Sequence, residues 1–281
     1  MAVIDVLLAT HRPEKDWLDA QVESIRAQED VETNLLARED ADGAGPAANF
    51  SALLGMSKAD YIAFADQDDV WMKDKLKKSL DALRGLEARW GRGTPLAVFT
   101  DAIVTDGSLN PFPGTHFARQ RVDPVRGCAL NRLLMQNFIP GNAMLINAAL
   151  RDRAGSIPSA ALMHDVWVLL TAAAFGRIGY VDEPLYLYRQ HGANALGATE
   201  AGAAHAIVRA REGVSPFRAR LMASVRQARA FRERFGAACP ACVGALADLC
   251  DANWFVRRGR IIRHGLFKQG VLRNLALLAF A

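Results

Sequence analysis

The sequence is poor in cysteine, and that narrows what it can be. Four are present in 281 residues, Cys128, Cys239, Cys242 and Cys250. Cys239-Pro-Ala-Cys242 has no second pair and no histidine at ligand spacing, so buried thiols in a helical segment fit better than a metal knuckle. The low count suits a reducing compartment and gives no disulfide framework. Runs of 18 or more uncharged apolar residues are also missing, so no spanning helix is expected. The chain enters an apolar stretch, Val3-Ile-Asp-Val-Leu-Leu-Ala9, without a basic segment or cleavage site before it. No secretory leader is read, and a cytoplasmic location is expected. A glycine-rich, Lys- or Arg-bearing triphosphate loop is absent after that stretch, which disfavours a nucleotidyltransferase. No nucleic-acid module is recognised either, so nucleic acid is not an expected partner.

What is present is an apolar half, enough for a sizeable core, and an uneven charge. Residues 205–281 hold 14 Lys and Arg against 4 Asp and Glu, while the first 204 residues carry 20 against 26. A basic end beside an acidic body suggests a tail facing something anionic, such as an anionic membrane surface. Its apolar positions support two readings. Leu221, Val225, Ala228 and Phe231 share a helix face, as do several leucines near the end, so the region either lies in a bilayer interface or packs as a helical subdomain.

Apolar stretches alternate with helical patterns through residue 106: strands at 3–9, 34–37, 61–66 and 96–104, helices from 14, at 46–57 and from about 72 to 89. In the first helix Trp17, Leu18, Val22 and Ile25 share one face. This alternation predicts an α/β domain, a mostly parallel sheet with helices on both faces. From 107 to 160 proline and glycine punctuate the chain, which reads as binding loops. An apolar helix follows Met163-His164-Asp165, and residues 193–204 read as a linker.

The stretch Tyr61-Ile-Ala-Phe-Ala-Asp66-Gln67-Asp68-Asp69-Val-Trp71 carries the densest chemistry. Three carboxylates within four positions at a buried strand's end repel one another and call for a compensating cation, such as a divalent metal bridging to a phosphate. The alternative is a simple cap for the next helix. Polar residues also end the two earlier strands, Thr10-His11-Arg12 and Arg38–Asp42, where ligands sit on such sheets, and this convergence favours the metal reading.

The order of these pieces resembles glycosyltransferase family 2, the inverting, metal-dependent sugar transferases of the GT-A fold. Four matches across residues 3–198 carry the resemblance: the first strand to Thr10; the Tyr61–Trp71 stretch, similar to the family's Asp-x-Asp segment; His164-Asp165-Val-Trp167, similar to its acidic base motif; and Tyr188-Arg189-Gln190-His191-Gly192-Ala-Asn194, similar to its Tyr-Arg-x-His segment. The wording looks most like the rhamnosyltransferase-like branch. The resemblance implies a GT-A-type fold over 1–198, with a nucleotide-binding part (1–106) and an acceptor-binding part (107–198), plus a helical C-terminal extension over 205–281.

It also implies the site. Mg²⁺ or Mn²⁺ is held by Asp68, with Asp66 on the metal's waters or the ribose and His191 completing the shell or touching a phosphate. Arg189 pairs with the diphosphate, Thr10 and Arg12 lie beside the donor, and Asp165 is the general base. Asp165 also reads as the cap of the helix that follows it. Asp101, Asn137, Gly141 and Trp167 face the acceptor, with Trp71 and Trp167 as apolar walls, although for either alone core packing is the safer reading. The donor is a nucleoside diphosphate sugar, the acceptor a saccharide or lipid-linked saccharide. In one departure, the chain runs from Leu36 to Asn49 where the family has a further helix and strand. Asp40 or Asp42 then stands in for the base-binding aspartate.

Overall fold

The computed structural model describes residues 1–191 and 214–280. Gly192 and Asn194 of the last motif, and the expected linker, lie outside them. Strands and helices follow in the order β1 (Val3–Thr10), α1 (Lys15–Arg26), β2 (Glu32–Glu39), α2 (Pro46–Met56), β3 (Tyr61–Ala65), β4 (Val70–Trp71), α3 (Lys75–Trp90), β5 (Leu96–Thr105), β6 (Pro111–Thr115) and α4 (His116–Gln120). Then come α5 (Pro124–Gly127), α6 (Leu130–Leu133), β7 (Met144–Asn147), α7 (Ala148–Ala154), α8 (His164–Phe175) and β8 (Arg177–Arg189). The helices α9 (Val214–Phe235), α10 (Ala241–Ala247), α11 (Trp254–Arg263) and α12 (Val271–Phe280) close the chain.

The chain forms two compact units. One holds Met1–Arg119, Ile139–Ile157 and the stretch from Met163 to His191; the other holds Gln120–Phe138, Pro158–Leu162 and residues 214–280. Residues 120–138 and 158–162, expected within the acceptor-binding part, group instead with the helical unit.

In the first unit eight strands form one sheet, ordered β2-β1-β3-β7-β5-β8-β4, with β6 beside β5. The α/β alternation holds, but the sheet is mixed. β1 pairs parallel with β2 and β3, and β5 with β8, while β7 runs antiparallel between β3 and β5. β1, β2, β3, β5 and β8 thus point one way. Their carboxyl ends, and the amino end of β7, lie along one edge. Strand β3 is buried at every position, and Ile4–Leu8 of β1 also lies inside, as expected for strands covered on both faces.

Asp5 interrupts this apolar run with a satisfied charge. Its carboxylate accepts from Asn34 Nδ2 (2.8 Å), Ser57 Oγ (2.6 Å) and the amides of Lys58 (3.0 Å) and Ala59 (3.1 Å). Burial opposes ionisation, yet these bonds hold its pKa below the usual value. The chain entering β3 is thereby pinned to β1 and β2.

Helix α1 buries two polar residues, Gln21 and Ser24, alongside Ile25, and Gln28 just past its end is buried too. The expected stripe of Trp17, Leu18 and Val22 is only half-buried. Ser24 Oγ accepts from the Trp71 amide (3.0 Å), and Gln28 donates to Met72 O (2.7 Å) and accepts from the Leu76 amide (2.8 Å). These side chains satisfy backbone groups that the short strand β4 leaves open, and so fix the chain after Asp69.

In the second unit Leu221, Val225, Ala228 and Phe231 of α9 are buried, so that face packs within the helices. No described helix is long and apolar enough to cross a membrane.

Asp5→Ala leaves four donors without their acceptor, and should lower the unfolding free energy by about 3 kcal/mol in urea titrations. Asp5→Asn, which keeps an acceptor, should cost less.

Candidate active site

The carboxyl edge of the sheet gathers the residues of the sequence motifs. After β3 the chain turns through Asp66, Gln67, Asp68 and Asp69. Asp69 is fully buried and is the anchor: its carboxyl accepts from Asn142 Nδ2, just before β7, and from the Arg189 amide (3.1 Å), at the end of β8. Burial first, then the charges of Asp68 and Asp66, push its pKa well above the usual carboxylate value. Lys75 is buried nearby with Nζ 3.6 Å from the Trp71 ring centre. Burial lowers its pKa to about 7 against the pull of Asp69.

With Asp69 held inward, Asp66 and Asp68 are left partly exposed at the edge. The buried surroundings of the Asp66 carboxyl, followed by the charges of Asp68 and Asp165, raise its pKa to about 7. The charges of Asp68 and Asp165 both act on Asp66, so the three carboxylates share one field. His191 Nε2 lies 2.6 Å from Asp68 Oδ2, and the His191 ring rests 4.6 Å from that of Trp17. Gln67 ties the neighbouring loop down: its amide accepts from His11 N (2.7 Å) and donates to His11 O (3.2 Å). Arg12 follows in a left-handed conformation (φ 43°), exposed at the same edge. Thr10 Oγ1 reaches Arg38 O at 3.5 Å, across the ends of β1 and β2.

Arg189 is only 3% exposed. Its guanidinium donates to Asp68 O (2.7 Å) and to Gly107 O, 5.0 Å above the Trp17 ring. Expected on the diphosphate, it braces the acidic loop here. Asp165 sits in the first turn of α8, where Met163 is the cap, and its Oδ1 accepts from the Val166 amide (2.6 Å). A carboxylate there also complements the helix dipole and is held rigidly.

Other expectations fall out differently. Trp167 is fully buried with Nε1 on Ala154 O (3.2 Å), and Trp71 is 3% exposed, so both are core rather than walls of an open site. The aromatic ring at the edge is Trp17, which the sequence reading spent on an apolar stripe. Asp101 is buried and accepts from the Ala102 (2.8 Å) and Phe117 (3.2 Å) amides, capping the turn into α4. Asn137 falls in the second unit. Gly141 lies against His164, where a Cβ would meet Nε2 at 2.5 Å. Asp40 accepts from the amides of Ala44 and Gly45 (2.8 Å each), closing its own loop, while Asp42 is exposed at the tip. Asn142 was missed altogether; its signal, an amide two residues after Pro140, is too common to single out.

The donor set fits a divalent cation in a limited way. Among the described residues no group of three or more His, Cys, Asp or Glu is arranged around one point. Asp68 and His191 supply two donors, and adjacent ligands of one octahedral ion lie about 3 Å apart, close to their separation. Mg²⁺ and Mn²⁺ are commonly held by one or two side chains, with phosphate oxygens and water completing the shell.

The fold is that of the GT-A glycosyltransferases. Over 98% of this chain and 78% of the other it matches a mannosyltransferase from Pyrobaculum calidifontis, solved with GDP-Man and Mn²⁺, at a TM-score of 0.50 and 17% identity. In sequence the chain is similar to the dTDP-rhamnosyl transferase RfbG of Shigella flexneri, 25% identical over 215 residues, which are 65% of this chain and 71% of that protein. It thus resembles the rhamnosyltransferase-like branch. It also aligns with TarS from S. aureus in complex with UDP-GlcNAc (TM-score 0.49, 15% identity, 71% of this chain), spanning 61% of that chain. No protein-family model matches the chain.

His164, beside Asp165, offers a pH test. It stacks on Phe50 (3.8 Å between centroids), both ring nitrogens lack a hydrogen-bond partner, and burial lowers its pKa to about 3. Between that value and its unfolded pKa of about 6.5 the unfolded chain binds a proton that the folded chain does not, so this contribution to stability falls as pH falls. His164→Phe should remove a slope of up to about 1.4 kcal/mol per pH unit between pH 6 and 5, read by denaturant unfolding of both proteins.

Proposed function

We propose that this chain is an inverting, metal-dependent glycosyltransferase of family 2. It would move a sugar, rhamnose or another deoxysugar, from a nucleoside diphosphate to a saccharide or lipid-linked saccharide acceptor, in the synthesis of cell-surface polysaccharide. The observation that carries this reading is the convergence of Asp66, Asp68 and Asp165, from β3 and α8, with His191 paired to Asp68. The names of the relatives support the donor class: one is a dTDP-rhamnosyl transferase, another was solved with a GDP-sugar and Mn²⁺.

Asp165 takes the proton of the acceptor hydroxyl as its oxygen attacks the anomeric carbon. The bond to the diphosphate breaks on the opposite face, which inverts the centre. A divalent cation, when bound, neutralises the charge that builds on the departing phosphate. Asp68 and His191 would hold it. Arg189 keeps Asp68 in place through its backbone carbonyl, and Trp17 backs both Arg189 and His191. Asp66, with a pKa near neutrality, orients the donor's ribose or the cation's waters.

A second reading draws on Asp40. Its carboxylate is occupied by its own loop, so the site for the nucleotide base is reduced. A GT-A-like protein that has lost donor binding, serving as an assembly partner at a membrane, would look like this.

Asp165→Asn should slow transfer by roughly 10²–10⁴-fold and leave nucleotide affinity unchanged. Asp68→Ala should abolish transfer and also weaken metal-dependent nucleotide binding, measured by calorimetry. Full turnover in the Asp165 variant would remove it as the base.

A further inference from the structure

We propose that the second unit docks on the headgroup region of an anionic bilayer through α11 and α12. The inference rests on that unit alone and is independent of the transfer reading.

Exposed apolar side chains are concentrated there. Of fifteen large hydrophobic residues exposed among the described ones, seven belong to these two helices: Trp254, Phe255, Val256, Ile262, Val271, Leu272 and Leu275. Helical spacing groups them. Phe255 and Ile262, seven apart with Gly259 between, share the outer face of α11; Val271, Leu272 and Leu275 share that of α12. The inner faces are already filled, by Ile261 and Leu277, both fully buried. The outer residues are therefore not needed for the unit's own core. Phe255 stands 79% and Val271 76% exposed, more than packing alone explains.

Charge selects the occupant. Residues 254–281 contain no Asp or Glu, and they carry Arg257, Arg258, Arg260, Arg263, Lys268 and Arg273. Arg258 lies 3.6 Å over the Trp254 ring and donates to Ala279 O (3.1 Å), so it ties the start of α11 to the end of α12. An aromatic pair, Trp254 against Phe255 (4.8 Å), beside arginines is the chemistry of the zone between lipid headgroups and acyl chains. Each helix has ten residues, about 15 Å, too short to cross a bilayer. They can only lie along its surface. The buried face of α9 takes no part, which narrows the basic region 205–281 to its last two helices.

The test is co-sedimentation of the whole chain with phosphatidylcholine vesicles, with and without about one-third phosphatidylglycerol. Binding should require the anionic lipid and weaken with salt. The double variants Phe255→Ser/Ile262→Ser and Leu272→Ser/Leu275→Ser should each lower the partition constant at least tenfold, with thermal midpoints unchanged because the side chains are exposed. Two results overturn the proposal: no binding to anionic vesicles, or binding that both double variants retain. A dimer in solution that these variants dissociate would also overturn it, since a second copy would then be the occupant.

Discussion

The site depends on one buried carboxyl. Asp69 accepts from Asn142 before β7 and from the Arg189 amide at the end of β8, so three segments distant in sequence meet at one side chain. A buried carboxyl is costly unless it is hydrogen-bonded or protonated, and its raised pKa records that cost. With Asp69 turned inward, the preceding Asp66 and Asp68 are left at the open edge. The same anchor fixes the register at which His191 reaches Asp68. Ser24 of α1 and Gln28 just after it complete the frame from the other side by satisfying the backbone of Trp71, Met72 and Leu76. The acidic loop is thus rigid for reasons that lie in its neighbours.

Much of the first unit could be read from the sequence, because its signals are local. The run Tyr61–Ala65 is apolar at every position, which a fully buried strand requires, and the carboxylates directly after it could only mark a strand end. Strand–helix alternation predicted the α/β class for the same reason. What escaped was set by contacts across the chain. The direction of β7 follows from its neighbours β3 and β5, and four residues carry no mark of it. Periodicity in α1 pointed to Trp17, Leu18 and Val22, yet the buried face is polar because backbone groups of a distant segment need partners. Residues 120–138 looked like part of a binding loop and group with the helical unit.

The site was legible in its carboxylates and less so in its other members. The motifs singled out Asp66, Asp68, Asp165 and His191, and the structure brings Asp66 under the charges of Asp68 and Asp165 and His191 to Asp68. Trp71 and Trp167 instead went to the core, and the ring beside His191 belongs to Trp17. Arg189 braces the acidic loop and Asp40 closes its own, each through backbone groups. Such second uses of polar side chains are invisible in a sequence, since an arginine bracing carbonyls and one awaiting a phosphate are written alike.

Transfer requires that the edge formed by Asp66, Asp68 and His191 hold a nucleoside diphosphate together with a cation, despite the closed loop at Asp40. A thermal-shift panel of dTDP-, UDP- and GDP-sugars, each with and without Mn²⁺, tests this most directly. At least one should raise the melting temperature, and only when Mn²⁺ is present. No shift with any of them, in either condition, would contradict it and leave a GT-A fold without a donor site.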